Sequence, residues 1–190
     1  MLNGTAVWTA SRCGWARGAQ NMVRYHDEEW GRPCHDDRVL FEFLLLEGFQ
    51  AGLSWACILN KRENFCRALD GFDPEKIAGY GEEKIEELLC DAGIVRSRRK
   101  LTAAVGNAQA FLRIQREFGS FDAYLWGFTG GQVVREHALP MPASTVLSDR
   151  ISRDLKKRGM KYVGTVIVYS YLQAVGMVDD HEPGCYLYQE

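Results

Sequence analysis

Several features are scarce in these 190 residues, and each scarcity removes a class of protein. No apolar run reaches membrane-spanning length without interruption, so no membrane partner is expected. The opening MLNGTAVWTASR has neither the apolar core of a signal peptide nor the Arg-rich amphipathic pattern of a transit peptide. A cytoplasmic location is expected, and a nucleoid-associated one would look the same. Positive charge is not in excess: the formal net charge is −2, so no global basic field advertises nucleic acid. There is no internal repeat, low-complexity tract or long linker, and the length suits one domain, taken as 13–190, after a short N-terminal extension, 1–12, with no assignable role. The six cysteines have no close regular spacing, which argues against a disulfide framework and for metal binding or plain burial.

What is present is mostly helical in pattern. DRVLFEFLLL (37–46) forms an apolar helix opened by Asp37, and Ser54 caps the next, where Trp55, Ile58, Leu59, Arg62, Cys66 and Leu69 recur at helical spacing. FDP at 72–74 starts a new element. EEKIEELLC (82–90) puts Ile85, Leu88 and Leu89 on one face, with Gly93 as its stop. A longer helix over 98–118 carries Leu101, Val105, Ala108, Leu112 and Phe118 and ends at Gly119. After a looser stretch, 120–143, the segment Ser144 to Arg158 is amphipathic through Leu147, Ile151 and Leu155. VGTVIVYSYLQAVG then has the composition of a strand. Its length without a turn, and the lack of partner strands elsewhere, make it a buried helix. The class is mostly α.

Two features suggest chemistry. LLLEGFQAGLSWACIL (44–59) sets a carboxylate, Glu47, and an amide, Gln50, in the greasiest part of the chain. A buried carboxylate is paired, neutralised or waiting for a ligand; the plainer alternative is a helix-end residue facing solvent. Around 144–176, a helix, a short turn bracketed by Gly159 and Gly164, and a second helix make the pattern of a helix-hairpin-helix DNA-binding element. Backbone N–H groups of Gly164 and Thr165 and the nearby Lys161 would meet phosphate there. Local basic clusters, RSRRK (96–100) and KKRGMK (156–161), add to this reading; solvated helix faces are the alternative.

Cys13 and His26 near one end, and His181 and Cys185 in HEPGC near the other, supply two thiolates and two imidazoles. That donor set suits Zn²⁺ in a closed tetrahedral shell, which makes a structural site joining segments 13–26 and 181–185. Cys34 and His35 are alternative ligands.

RCGW, YHDEEWG, LEGFQAGLSW, KRENF, DAGIVRSRRK, GNAQAF, LKKRGMKYVGT and YSYLQAVGMVDDH, in this order from about Cys13 to Cys185, resemble the DNA-3-methyladenine glycosylase I family. The resemblance implies a helix-hairpin-helix glycosylase fold with one structural zinc on Cys13, His26, His181 and Cys185. It implies a monofunctional base-excision-repair enzyme acting on alkylated double-stranded DNA, flipping out N3-methyladenine and hydrolysing its glycosidic bond without strand cleavage. Free 3-methyladenine would be the product, and a monomer is expected. The resemblance puts the active-site acid at Glu47 and pocket aromatics at Tyr25 and Trp55, with Trp15 and Trp30 nearby and Gln50 alongside. The position three before the Tyr-His pair, which can be another pocket aromatic in the family, is Met22. Asp180 is the rival acid, since many superfamily relatives use an Asp shortly after the hairpin. A zinc-stapled DNA-binding module without catalysis and a zinc hydrolase with Glu47 as base are the competing readings.

Overall fold

The computed structural model describes residues 11–135, 137 and 140–189. Most of the expected N-terminal extension, 1–10, lies outside the described residues. Nine α-helices are found among the described residues: α1 (Gln20–Glu28), α2 (Asp37–Gln50), α3 (Trp55–Ala68), α4 (Pro74–Ala78), α5 (Glu82–Cys90), α6 (Arg98–Phe118), α7 (Phe121–Trp126), α8 (Val146–Lys157) and α9 (Thr165–Ala174). One isolated parallel bridge, Val134 with Val178, is the only β pairing among them. None of the helices is long and apolar enough to cross a membrane.

The core is organised around α2, which packs against α3, α6, α7 and α9. Every residue from Phe43 to Phe49 is buried. At about 1.5–3 kcal/mol for each large apolar side chain removed from water, this helix is a main source of fold stability. It begins at Asp37 as expected, but its cap is the residue before. Asp36, not Asp37, is the cap, accepting from the N–H groups of Arg38 and Val39. Asp37 instead reaches across the fold, accepting from Phe121 N (2.8 Å), Asp122 N (2.7 Å) and Gln115 Nε2 (2.6 Å), so it anchors the start of α7.

Ser54 caps α3 as expected, accepting from Cys57 N. On that helix Phe65 is fully buried and Cys66 is exposed, the reverse of the spacing argument for Cys66. α5 stops at Cys90, before Gly93. α6 ends at Gly119 as expected, but Phe118 is exposed beneath the Arg158 guanidinium. The looser stretch contains α7, whose six residues are too few for periodicity to register. α9 is helical despite its β-branched content. Its Val168, Tyr171 and Leu172 are fully buried against α2 and α8, and this tertiary burial overrides propensity.

Candidate active site

α1, α2 and α3 bring their side chains to one cavity of about 340 Å³. Its aromatic wall is built by Trp15, Tyr25, Trp30 and Trp55. Tyr25 and Trp55 lie 5.3 Å apart between ring centroids, and Trp15 and Trp30 4.9 Å apart in an edge-to-face contact. Glu47 lines the same space from α2, is 4 % exposed, and makes no hydrogen bond or ion pair among the described residues. Removal from water pushes its carboxyl up to about 8. Tyr25 is also raised, by burial first and then by the neighbouring charge of Glu47. A flat, positively charged guest would satisfy both features of this cavity: rings that attract a cation and an unpaired buried acid whose proton a cation could replace.

Gln50 lines the cavity too, but its amide N–H is committed to Leu53 O at 2.7 Å, closing the turn before α3. Met22 contributes a thioether where an aromatic was one option. Met141, Ser170 and Gln173 complete the lining, and nothing in the sequence marks them for it. They come from segments more than a hundred residues downstream of Met22, so no local pattern points to them.

Asp180 is buried elsewhere. Its Oδ2 accepts from Tyr169 Oη (2.5 Å) and Gln173 Nε2 (2.7 Å), and it does not line the cavity. Its bond to Gln173 ties it to one residue of the cavity lining. Between the two acids, Glu47 is the one with an open face.

A second cluster backs the aromatic wall. The ligand atoms of Cys13, His26 and Cys185 all lie within 4.8 Å of one another, and all three residues are buried. His181 adjoins them, its ring 5.3 Å from that of His26. Each imidazole is oriented through Nδ1: His26 by Asp27 Oδ1 (2.8 Å), His181 by Asp179 Oδ1 (2.7 Å). That leaves the Nε2 lone pair of each ring as its ligating atom: His26 Nε2 faces Cys185 Sγ at 3.4 Å, and His181 Nε2 is buried without a partner. Backbone N–H groups of Glu182 and Leu187 point at the two sulfurs, at 3.3 and 3.5 Å. Burial pushes the Cys13 thiol up to about 12, so a cation is needed to hold it as thiolate. Cys13, His26 and Cys185 form a group that could hold a metal ion; His181 lies outside that group, and its orphaned nitrogen and the carboxylate–histidine pairs are of the kind found around such ions.

Arg12, to which the sequence assigned no role, grips Asp27 through Nε and Nη2 at 2.7–2.9 Å and holds its carboxyl well below the usual range. Gly31 is required at this centre. It sits at φ +73°, and a Cβ there would stand 2.5 Å from His181 Cε1. Cys34 and His35 lie apart from the cluster: His35 is exposed and pairs with Asp122 at 2.7 Å.

The hairpin segment runs α8, a turn over 158–164, then α9. Ser148 Oγ meets Thr165 Oγ1 at 2.9 Å, which sets the amino ends of α8 and α9 side by side. Gly164 caps α9 without a side chain, and Val168 donates the first intrahelical bond, so the N–H groups of Thr165, Val166 and Ile167 are not used within the helix. Lys156 and Lys157, at the carboxyl end of α8, and Lys161, in the turn, are exposed. Arg158 is not available, since it pairs with Asp154 (2.6 Å) and Glu117 (2.7 Å). In the other basic cluster Arg98 pairs with Glu82 and Glu86, and Lys100 donates to Phe49 O (2.8 Å) and Ala51 O (2.6 Å) at the end of α2. Those two charges serve the fold.

Comparison with known proteins covers nearly the whole chain. The model of the methyladenine glycosylase family matches residues 15–188. DNA-3-methyladenine glycosylase 1 of Escherichia coli (strain K12) is 46 % identical over 180 residues, 93 % of this chain and 96 % of that protein. The crystal structure of a 3-methyladenine DNA glycosylase I superposes with a TM-score of 0.90 at 44 % identity, covering 94 % of this chain and all of the other. A structure of 3-methyladenine DNA glycosylase I from Staphylococcus aureus, concerned with the structural basis of 3-methyladenine recognition, gives 0.89 at 36 % identity over 94 % of this chain and 97 % of the other.

Proposed function

The chain belongs to the methyladenine glycosylase family, and from that premise we infer that it is a monofunctional DNA N-glycosylase excising 3-methyladenine. The substrate base carries positive charge, which already weakens its bond to the sugar. The enzyme's task is to extract that base from the stack and hold it. In our reading the cavity of Tyr25, Trp55, Trp15 and Trp30 receives the flipped base, each well-placed ring contributing roughly 0.5–2 kcal/mol toward a cation. Glu47 accepts from the exocyclic amine and supplies the negative charge that favours the methylated base over neutral adenine. The observation that carries this reading is the buried Glu47 carboxyl, unpartnered and facing an aromatic cavity.

The cationic base is a good leaving group, so Glu47 need not abstract a proton for water to complete the reaction.

We read the Cys13, His26, His181 and Cys185 cluster as a structural zinc site. A bound zinc would supply cross-linking of the two terminal segments; four protein donors leave it no open position. The turn at 158–164, with Lys161 and the N–H groups at the start of α9, is read as a helix-hairpin-helix contact to DNA phosphates.

Incubating the protein with N-methylated duplex DNA and separating released bases by chromatography tests the activity. Free 3-methyladenine and an uncut strand are expected; release of no base would refute the reading.

A further inference from the structure

The turn at 158–164 is held by side chains from other helices, and one of them is out of place by ordinary rules. Asn107 sits in the interior of α6, only 4 % exposed, although asparagine is a weak helix former and its amide is expensive to bury. Both halves of that amide are used on a single residue 54 positions away. Oδ1 accepts from Lys161 N at 2.8 Å, and Nδ2 donates to Lys161 O at 2.9 Å. The pair mimics the two-bond ring of neighbouring strands.

The gripped residue lies within a strained stretch. Gly159 has φ +94°, and Tyr162, a bulky residue, has φ +56°. A non-glycine residue persists in that region only where its surroundings over-determine it. Arg113 Nη2 donates to Arg158 O at 3.2 Å, and Ser152 Oγ to Val163 O at 2.6 Å, so the turn is pinned at both ends as well. Met160 and Val163 are buried and already anchor it to the core. Sealing the core therefore does not require an amide at 107. What the amide adds is a fixed peptide at the one residue of the turn that presents an exposed ammonium, Lys161.

We propose that Asn107 is a positioning residue for DNA binding: it holds the Lys161 peptide so that the Lys161 ammonium and the amino end of α9 meet the phosphate backbone together. This rests on the reading of the 158–164 turn as the DNA contact. Asn107 touches neither the base pocket nor the DNA; it acts through Lys161.

The test compares Asn107→Ala, Lys161→Ala and the double variant on a duplex carrying a stable abasic-site analogue, by fluorescence anisotropy across a salt series. Asn107→Ala is expected to weaken binding about tenfold and to lower the slope of log K against log salt by about one, as Lys161→Ala does. The double variant should be no worse in slope than either single one, because both remove the same contact. Affinity for free 3-methyladenine, measured by calorimetry, should not change, whereas general loosening of the fold would lower it. A folded Asn107→Ala with the wild-type slope, or effects that add in full, would overturn the proposal while leaving the hairpin reading intact. If Lys161→Ala itself keeps the wild-type slope, the hairpin reading falls and the proposal with it. Amide exchange in the unmodified protein decides the case if Asn107→Ala does not fold. The Lys161 N–H should be protected to the level of the α6 core, and exchange at the rate of a free amide would overturn the clamp.

Discussion

Replacing Glu47 with Gln should make the protein more stable and a worse enzyme. Burial lifts this carboxyl from 4.5 to about 8. Because the folded value lies above the unfolded one, the native state holds the proton more tightly. The stability linked to this group is complete below pH 4.5 and is lost as pH rises through about 8. At roughly 1.4 kcal/mol per unit, the loss reaches about 3 kcal/mol at pH 7 and about 5 kcal/mol above pH 8. Glutamine has the same shape and does not titrate. Urea midpoints of wild type should therefore fall between pH 5 and 8.5, while those of Glu47→Gln stay nearly level and overtake them. In the same variant, single-turnover release of 3-methyladenine from methylated DNA should drop roughly ten- to hundredfold, the worth of one charge-assisted hydrogen bond. Some activity should persist through aromatic stacking and the lability of the substrate. Circular dichroism controls for folding. Parallel pH profiles of stability for the two proteins would refute the account of an unpartnered buried acid. If folded Glu47→Gln matches wild type in base release while Asp180→Asn is inactive, the wrong acid has been assigned.

Further outcomes are expected. A free cationic base should bind more tightly as pH rises toward 8, because binding requires the Glu47 proton to leave; a pH-independent affinity by calorimetry would count against the pairing. Cys185→Ser or His26→Ala should lower stability by several kcal/mol through lost metal-linked folding free energy, without changing which base is released. Elemental analysis finding no zinc in the purified protein would remove that claim. Gly31→Ala should weaken metal retention, since the new methyl collides with the His181 ring; transfer of zinc to a chromophoric chelator at the wild-type rate would contradict it.

The local content of this chain is legible at the level of helices. Apolar spacing, the Ser54 cap and the Gly119 stop are set by contacts within one turn of backbone, so residue order alone determines them. The ordered motifs point to the family for the same reason: they are short stretches whose spacing the chain itself preserves. Glu47 stands out on residue order too, because a carboxylate inside so apolar a run is costly wherever the run is buried. Tertiary structure decided the rest. That Asp36 caps α2 while Asp37 reaches α7 depends on where a distant helix begins. Neither α1, which carries Tyr25 and His26, nor α7 is evident from residue order: α7 has only six residues, and α1 opens after Ala19 with no capping side chain to mark its start. Which basic residues remain available to DNA could not be read from their clustering. Arg158 and Arg98 are paired with carboxylates 4 to 41 positions away and Lys100 is committed to two backbone carbonyls at the end of α2, whereas Lys161 is left exposed. The pocket wall of Met141, Ser170 and Gln173, and the grip of Asn107 on Lys161, likewise join residues far apart in sequence. Such pairings have no local signature: a side chain's partner is fixed by how helices pack, and packing is settled by burial summed over the whole core rather than by any one segment.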